Sequence, residues 1–197
     1  MKKLLTTILC IYILAVSGCG PRVAIKKDYD FSKIKRIAVT PFTSSNAYFS
    51  TNDIAGDAVA DEFIIQFMQK SIDIVERFKL DAVMKEFSLA SSGMLDSETV
   101  KKIGKLVGAD AILAGTVFQY LPNRRDIIYV DDGTGSKRQE IFMVDAEIGL
   151  SVRLIDVETG VIVWAGNYRY NSFYIESAIR GAVTGLIHSL DKYLPKT

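Results

Sequence analysis

The stretch VDAEIGLSVRL, residues 144–154, constrains the fold more than any other part of this 197-residue chain. A period of two places apolar side chains on one face of an extended strand, so this pattern predicts a long strand with one buried face. The turn sequence DVETG follows, and the next apolar run predicts an antiparallel hairpin partner over Val161–Tyr170. The alternating apolar residues of the first strand are Val144, Ala146, Ile148, Leu150, Val152 and Leu154.

Upstream of this hairpin, strands and helices are predicted to alternate. Short apolar runs predict three strands, over 33–42, 71–77 and 111–120. Apolar residues at helical spacing predict four helices, over 54–70, 80–87, 97–107 and 175–194. The order strand, helix, strand, helix, helix, strand, hairpin and helix predicts a mixed β-sheet with helices packed on it, an α/β sandwich.

The start of the chain predicts an export signal that ends in a lipidated cysteine. Basic residues come first, and an apolar run of about 13 residues follows from Leu4 to Val16. A spanning helix needs about 20 apolar residues, so this run is too short to be one. The run ends in VSGC, which resembles the bacterial lipobox, so residues 1–18 are expected to be removed and Cys19 acylated. The alternative is an ordinary signal peptide with an incidental cysteine.

Lipidation leads to further expectations about location and charge. Several acyl chains on Cys19 anchor a protein stably, and Gly20 follows where inner-membrane retention typically shows aspartate, so the outer membrane, facing the periplasm, is expected. Residues 19–32 are predicted to form an acylated tether, and residues 33–197 the folded domain. Of 24 basic side chains, two belong to the signal segment, which leaves 22 against 23 acidic ones. Without a concentrated basic surface, nucleic acid is not an expected partner.

The sequence contains no constellation typical of an enzyme. Its one histidine, His188, projects away from the apolar stripe of the last predicted helix, so neither a histidine-based triad nor a zinc site is expected. The glycines of DDGTGSKRQ, residues 131–139, lack the spacing of a phosphate-binding loop and are interpreted as a hairpin tip. The chain is therefore expected not to be an enzyme, with no catalytic residue, metal site or cofactor.

Two tyrosines are candidates for partner binding. Tyr168 and Tyr170 share one face of the last predicted strand. They either offer aromatic surface to a partner, as protein interfaces often do, or cover the sheet beneath the last helix.

Several stretches resemble the curli secretion channel (CsgG-like) lipoprotein family over most of residues 33–190. The resemblance implies an α/β domain related to the N-terminal domain of the translocation protein TolB and to lipoprotein activators of penicillin-binding proteins. It also implies that Asn46, Tyr48 and Phe49 match the loop that lines the channel constriction of that family. The stretches that carry it are RIAVTPF, SSNAYFSTND, ADAILAGTVFQY and VDAEIGLSVRLIDVETGVIVWAG.

Channels of that family build a membrane barrel from two hairpins per subunit, whereas this sequence offers one insertion of suitable length. Residues 124–140 carry eight charged side chains, a poor surface for lipid, and only NYRYNSF separates the last predicted strand from the final helix. The leading hypothesis is therefore a non-catalytic lipoprotein, held in the membrane by its anchor, that binds another envelope protein in secretion or envelope assembly. Self-association stays open; the alternatives are a pore-forming channel subunit and an activator of a cell-wall synthase.

Overall fold

The computed structural model describes residues 20–44, 54–70, 72–86, 97–131, 133 and 137–194. Seven strands form one sheet: β1 (Arg22–Ile25), β2 (Arg36–Val39), β3 (Thr43–Ser44), β4 (Asp73–Ile74), β5 (Ala111–Leu121), β8 (Ala146–Asp156) and β9 (Ile162–Ser172). A separate two-stranded ribbon consists of β6 (Arg124–Asp131) and β7 (Lys137–Val144). The helices are α1 (Ile54–Met68), α2 (Arg77–Glu86), α3 (Ser97–Val107) and α4 (Ile175–Leu190), with a short 3-10 helix over Phe31–Lys33.

The sheet is mixed, which confirms the predicted architecture. Its strand order is β1-β9-β8-β5-β2-β4, and β3 lies beside β5. β2 pairs in parallel with β4 and β5, whereas the pairs β5–β8, β8–β9 and β9–β1 are antiparallel. Helices cover both faces, because Ala38 and Val39, adjacent on β2, belong to different apolar clusters. One cluster includes residues of α1 and α4, and the other includes residues of α2 and α3.

The long hairpin of β8 and β9 forms as the period-two pattern predicts. The apolar residues of β8 from Ala146 to Leu154 are buried at every second position. Asp156 then begins the turn, where its carboxylate accepts hydrogen bonds from the backbone N–H and the hydroxyl of Thr159, at 2.7 and 2.6 Å. Gly160 has a φ of 71°, a conformation that glycine adopts without steric cost. The sequence DVETG is therefore a turn with side-chain support.

Much of the predicted tether belongs to the fold, which corrects the assignment of residues 19–32. β1 lies in this segment and pairs with β9. Phe31 is buried in the core, and the hydroxyl of Tyr29 donates to the carboxylate of Asp156 at 2.5 Å. The sequence did not predict this because a four-residue strand and two isolated aromatic residues are too short to show a period. The residues that they contact also lie far along the chain. The folded domain therefore starts by Arg22.

Candidate partner-binding surface

Four of the predicted site residues lie outside the described part of the chain: Cys19, Asn46, Tyr48 and Phe49. The positions of their neighbours are nevertheless informative. β3 runs parallel to β5, with Ser44 opposite Val117, so β3 points toward the C-terminal end of β5 just before the loop begins. The assignment of the loop residues to partner binding stays a prediction.

Several described segments meet at that end of the sheet. Leu121, which ends β5, lies opposite Glu147, and Ala146, which starts β8, lies opposite Ser172, which ends β9. The ribbon of β6 and β7 connects β5 to β8 at this end. We call this end of the sheet, where β5 and β9 end and β8 begins, the ribbon end.

The N-terminal segment approaches the ribbon end as well. β1 begins with Arg22 opposite Asn167 and runs antiparallel to β9, which continues five residues further to Ser172. The residues before Arg22 therefore precede the start of β1 on the side of the ribbon end.

The structure brings Tyr168 and Tyr170 together on the sheet face that α4 covers. Their ring centroids are 5.9 Å apart, in an edge-to-face arrangement. Both rings occupy space that two helix glycines leave free, since a Cβ on Gly181 would lie 2.4 Å from Tyr170 Cε1 and one on Gly185 would lie 2.6 Å from Tyr168 Cε1. Packing against α4 accounts for both tyrosines, and Tyr170 keeps about a third of its surface (36%) exposed.

Two further aromatic residues stand at the ribbon end without such packing. Phe173 is 73% exposed and Tyr174 is 61% exposed, directly between β9 and α4. Leu121, at the end of β5, is exposed too. Exposed aromatic side chains are enriched where proteins bind each other. We call these three residues, Leu121, Phe173 and Tyr174, the exposed aromatic corner of the ribbon end.

The register of the ribbon sorts its side chains onto two different faces. Directly opposite residues share a face, as Ile127 and Ile141 do. On one face, each level pairs an apolar residue with a charged one, and two ion pairs, Arg124–Asp126 and Arg138–Glu140, lie along it. The other face has an apolar centre of Ile127, Tyr129, Ile141 and Met143, with the uncharged Gln139 opposite Tyr129 and the charged residues Arg125, Asp131 and Lys137 at the two ends. We call this the apolar face of the ribbon.

A polar network fastens the N-terminal segment to the turn of the long hairpin. Burial alone raises the pKa of Asp156, but hydrogen bonds donated by Thr159 and Tyr29 outweigh it and hold this pKa below its usual value. For Tyr29, burial together with the hydrogen bond to the Asp156 carboxylate raises the pKa. The network is structural, since its groups satisfy one another.

Acidic residues that a catalytic site would use have other partners. Asp110 accepts hydrogen bonds from the backbone N–H groups of Lys35 and Arg36, both at 2.9 Å. Asp131 accepts one from the backbone N–H of Gly133. The side chain of His188 is 86% exposed. Within the described ranges, no three potential metal ligands gather.

Residues that line a polar groove beside β4 interact with each other and with the backbone. Arg36 and Asp73, opposite each other on β2 and β4, form an ion pair at 3.6 Å. Lys79 donates to the carbonyl of Val107 at 3.3 Å, at the C-terminal end of α3, where a positive charge is favourable.

None of the helices in the described residues has the length and apolar character needed to cross a bilayer.

Comparisons with solved structures identify proteins of similar fold. A point variant of PelC from Paraburkholderia phytofirmans, solved as a dodecamer, has a TM-score of 0.50 and 14% identity, over 86% of this chain and 97% of that one. Lipoprotein GNA1162 from Neisseria meningitidis has a TM-score of 0.48 and 16% identity, over 80% of this chain and 98% of that one. The LpoB C-terminal domain from Salmonella enterica has a TM-score of 0.48 and 13% identity, over 74% and 87%.

A search of curated protein sequences finds no match to the chain. A family model does match: the one described as "Curli production assembly/transport component CsgG" covers residues 18–190. Together with the mixed sheet and its long hairpin, this match shows that the chain belongs to the CsgG family.

Proposed function

We propose that the protein is a lipid-anchored component of the outer membrane, facing the periplasm, that binds another envelope protein in secretion or envelope assembly. The family supports an envelope role, since its description names assembly and transport. The PelC structure of similar fold is a dodecamer, so the proposal includes association of several copies. Binding, and not catalysis, is the activity that the site supports.

The observation that carries the proposal is the exposed aromatic corner of the ribbon end. Phe173 and Tyr174 present large aromatic surfaces to solvent at the same end of the sheet as Leu121, and Tyr170 keeps about a third of its surface (36%) exposed. The predicted partner-binding loop begins after Ser44, where β3 points toward the same end of the sheet. The proposal therefore includes the loop residues Asn46, Tyr48 and Phe49 as further candidates for partner binding.

The anchor fits the same arrangement. If Cys19 is acylated, the connection between the lipid anchor and Arg22 is three residues long and spans at most about 10 Å. The short remaining connection would hold the ribbon end close to the bilayer, where a partner in the same membrane is accessible.

The anchor is tested first by labelling cells with radioactive palmitate. We expect incorporation that Cys19→Ala abolishes, together with release of the protein from the outer-membrane fraction. Incorporation that is unaffected by Cys19→Ala, or absent altogether, would refute the lipid anchor.

Partner binding is tested by crosslinking in membranes followed by affinity capture and mass spectrometry. A double variant, Phe173→Ser with Tyr174→Ser, should lose the captured envelope protein. Ile65→Ser on α1 is the matched control, because Ile65 is a half-exposed apolar residue away from the corner. Equal capture by the double variant and the control would contradict the assignment. Ion conductance through planar bilayers would instead favour the pore-forming alternative.

A further inference from the structure

We propose that the apolar face of the ribbon is a self-association surface, on which the ribbons of two copies of this chain stack face to face. The inference rests on the proposed function, since the membrane anchor supplies the local concentration that this contact needs. It differs from the binding of another envelope protein at the aromatic corner, which uses other residues.

The exposure of the face is the first argument. Ile127, Tyr129, Ile141 and Met143 are each between 53% and 68% exposed, although they form one continuous patch. Neither ribbon strand pairs with the main sheet. A two-stranded hairpin is at best marginally stable alone in water and needs a surface to pack on. A contiguous apolar patch of this kind is typical of an interaction site.

The contrast with the opposite face is the second argument. There, apolar residues such as Ile128 and Phe142 sit beside charged ones, Glu140 and Asp126, at the same level of the ribbon. The carboxylates on that face are paired with arginines. Water can therefore solvate the charged face along its whole length, whereas the apolar face has its charges only at the two ends.

Self-complementarity identifies the partner as a second copy. Asp131 and Lys137 lie at the same level of the tip, on different strands. A two-fold axis along the ribbon places β6 of one copy over β7 of the other. Each Asp131 then faces the partner's Lys137, each Ile127 faces the partner's Ile141, and each Tyr129 faces the partner's Gln139. Both ribbons also point the same way, as two molecules anchored in one bilayer require.

The size of the face sets the strength of the contact. Eight residues per strand at a rise of about 3.3 Å, and two strands about 5 Å apart, give a face of roughly 300 Å². A stable interface buries about 800 Å² on each partner. Stacked ribbons alone would thus form a weak dimer in solution, and anchoring both copies in one membrane makes the contact effective by raising their local concentration.

Co-capture of two differently tagged full-length chains from membranes tests the proposal. Ile127→Lys buries an unpaired charge in the stack and should reduce co-capture about tenfold. Ile128→Lys is the matched control, because it adds the same charge one residue away on the opposite face, beside Glu140. Equal co-capture by both variants would overturn the proposal.

A second measurement is independent of contact strength. Chains with Ile127→Cys and with Ile141→Cys, each with its own tag, are co-expressed and oxidised with diamide. A mixed disulfide between tags is expected, and the pair Ile128→Cys with Glu140→Cys should give none. A photo-crosslinking residue at position 129 should yield a product with twice the mass of the chain. Products with another protein or with lipid only would overturn the proposal, while the palmitate and corner experiments would be unaffected.

Discussion

The hydroxyl of Tyr29 is the most informative single group to remove, because it joins the N-terminal segment to the central hairpin. Its hydrogen bond to Asp156 is 2.5 Å long, and Asp156 is 5% exposed. Hydrogen bonds to charged groups contribute about 1.5–3 kcal/mol. Asp156 keeps two bonds from Thr159, so Tyr29→Phe is expected to lower the free energy of unfolding by about 2 kcal/mol. For a domain of this size, that corresponds to a fall of about 4–8 °C in Tm.

The effect should depend on pH in a defined direction. Because the pKa of Asp156 is lowered in the folded state, its carboxylate stabilises the fold above the unfolded pKa of about 3.9. This contribution is lost as the pH falls through the lower, folded pKa. Tyr29→Phe removes one of the bonds that lower this pKa, so the difference between wild type and variant should be largest at pH 7 and shrink on acidification below about pH 4.

Urea unfolding of the purified protein at several pH values between 7 and 3 measures both quantities. Tyr129→Phe is the control, since it removes the same group from a residue that is 68% exposed on the ribbon. The reasoning would be refuted if Tyr29→Phe unfolded at the same urea concentration as wild type. A stability difference that stayed constant from pH 7 to pH 3 would refute the role of the charged carboxylate.

Three further predictions concern packing and charge. Gly104→Ala should destabilise the fold by about 1–3 kcal/mol despite the better helix propensity of alanine, because the new Cβ would lie 2.2 Å from Val157 Cγ2. In urea unfolding, adding Val157→Ala should restore part of the lost stability. Gly160→Ala should lower Tm more than Gly133→Ala, because both have positive φ but only the Gly160 Cβ meets neighbouring atoms; equal shifts in calorimetry would contradict this. Arg77→Met should destabilise by about 1 kcal/mol, less at high salt, because its guanidinium faces three carboxylates of α1 and α2.

The surroundings of the predicted functional residues could not be predicted from the sequence as well as the fold could, because they depend on tertiary structure. Tyr168 and Tyr170 were readable as a pair from their spacing, but only the approach of Gly181 and Gly185 in α4 shows that the rings fill space between sheet and helix. Phe173 and Tyr174 were part of the same aromatic run in the sequence. Their exposure follows from their place at the corner between β9 and α4, which spacing alone does not reveal.

The sequence alone determined the α/β sandwich, the long hairpin and the order of its helices, because a buried strand or helix face imposes a local period on the chain. The tertiary structure decided what depends on distant partners. Strand β1 exists because β9 offers it an edge, and Phe31 is buried because the core surrounds it. The charges of the ribbon looked uniform along the sequence, yet strand register spreads them along one face and confines those of the other face to its two ends. Register is a relation between two segments, so no single stretch of sequence contains it.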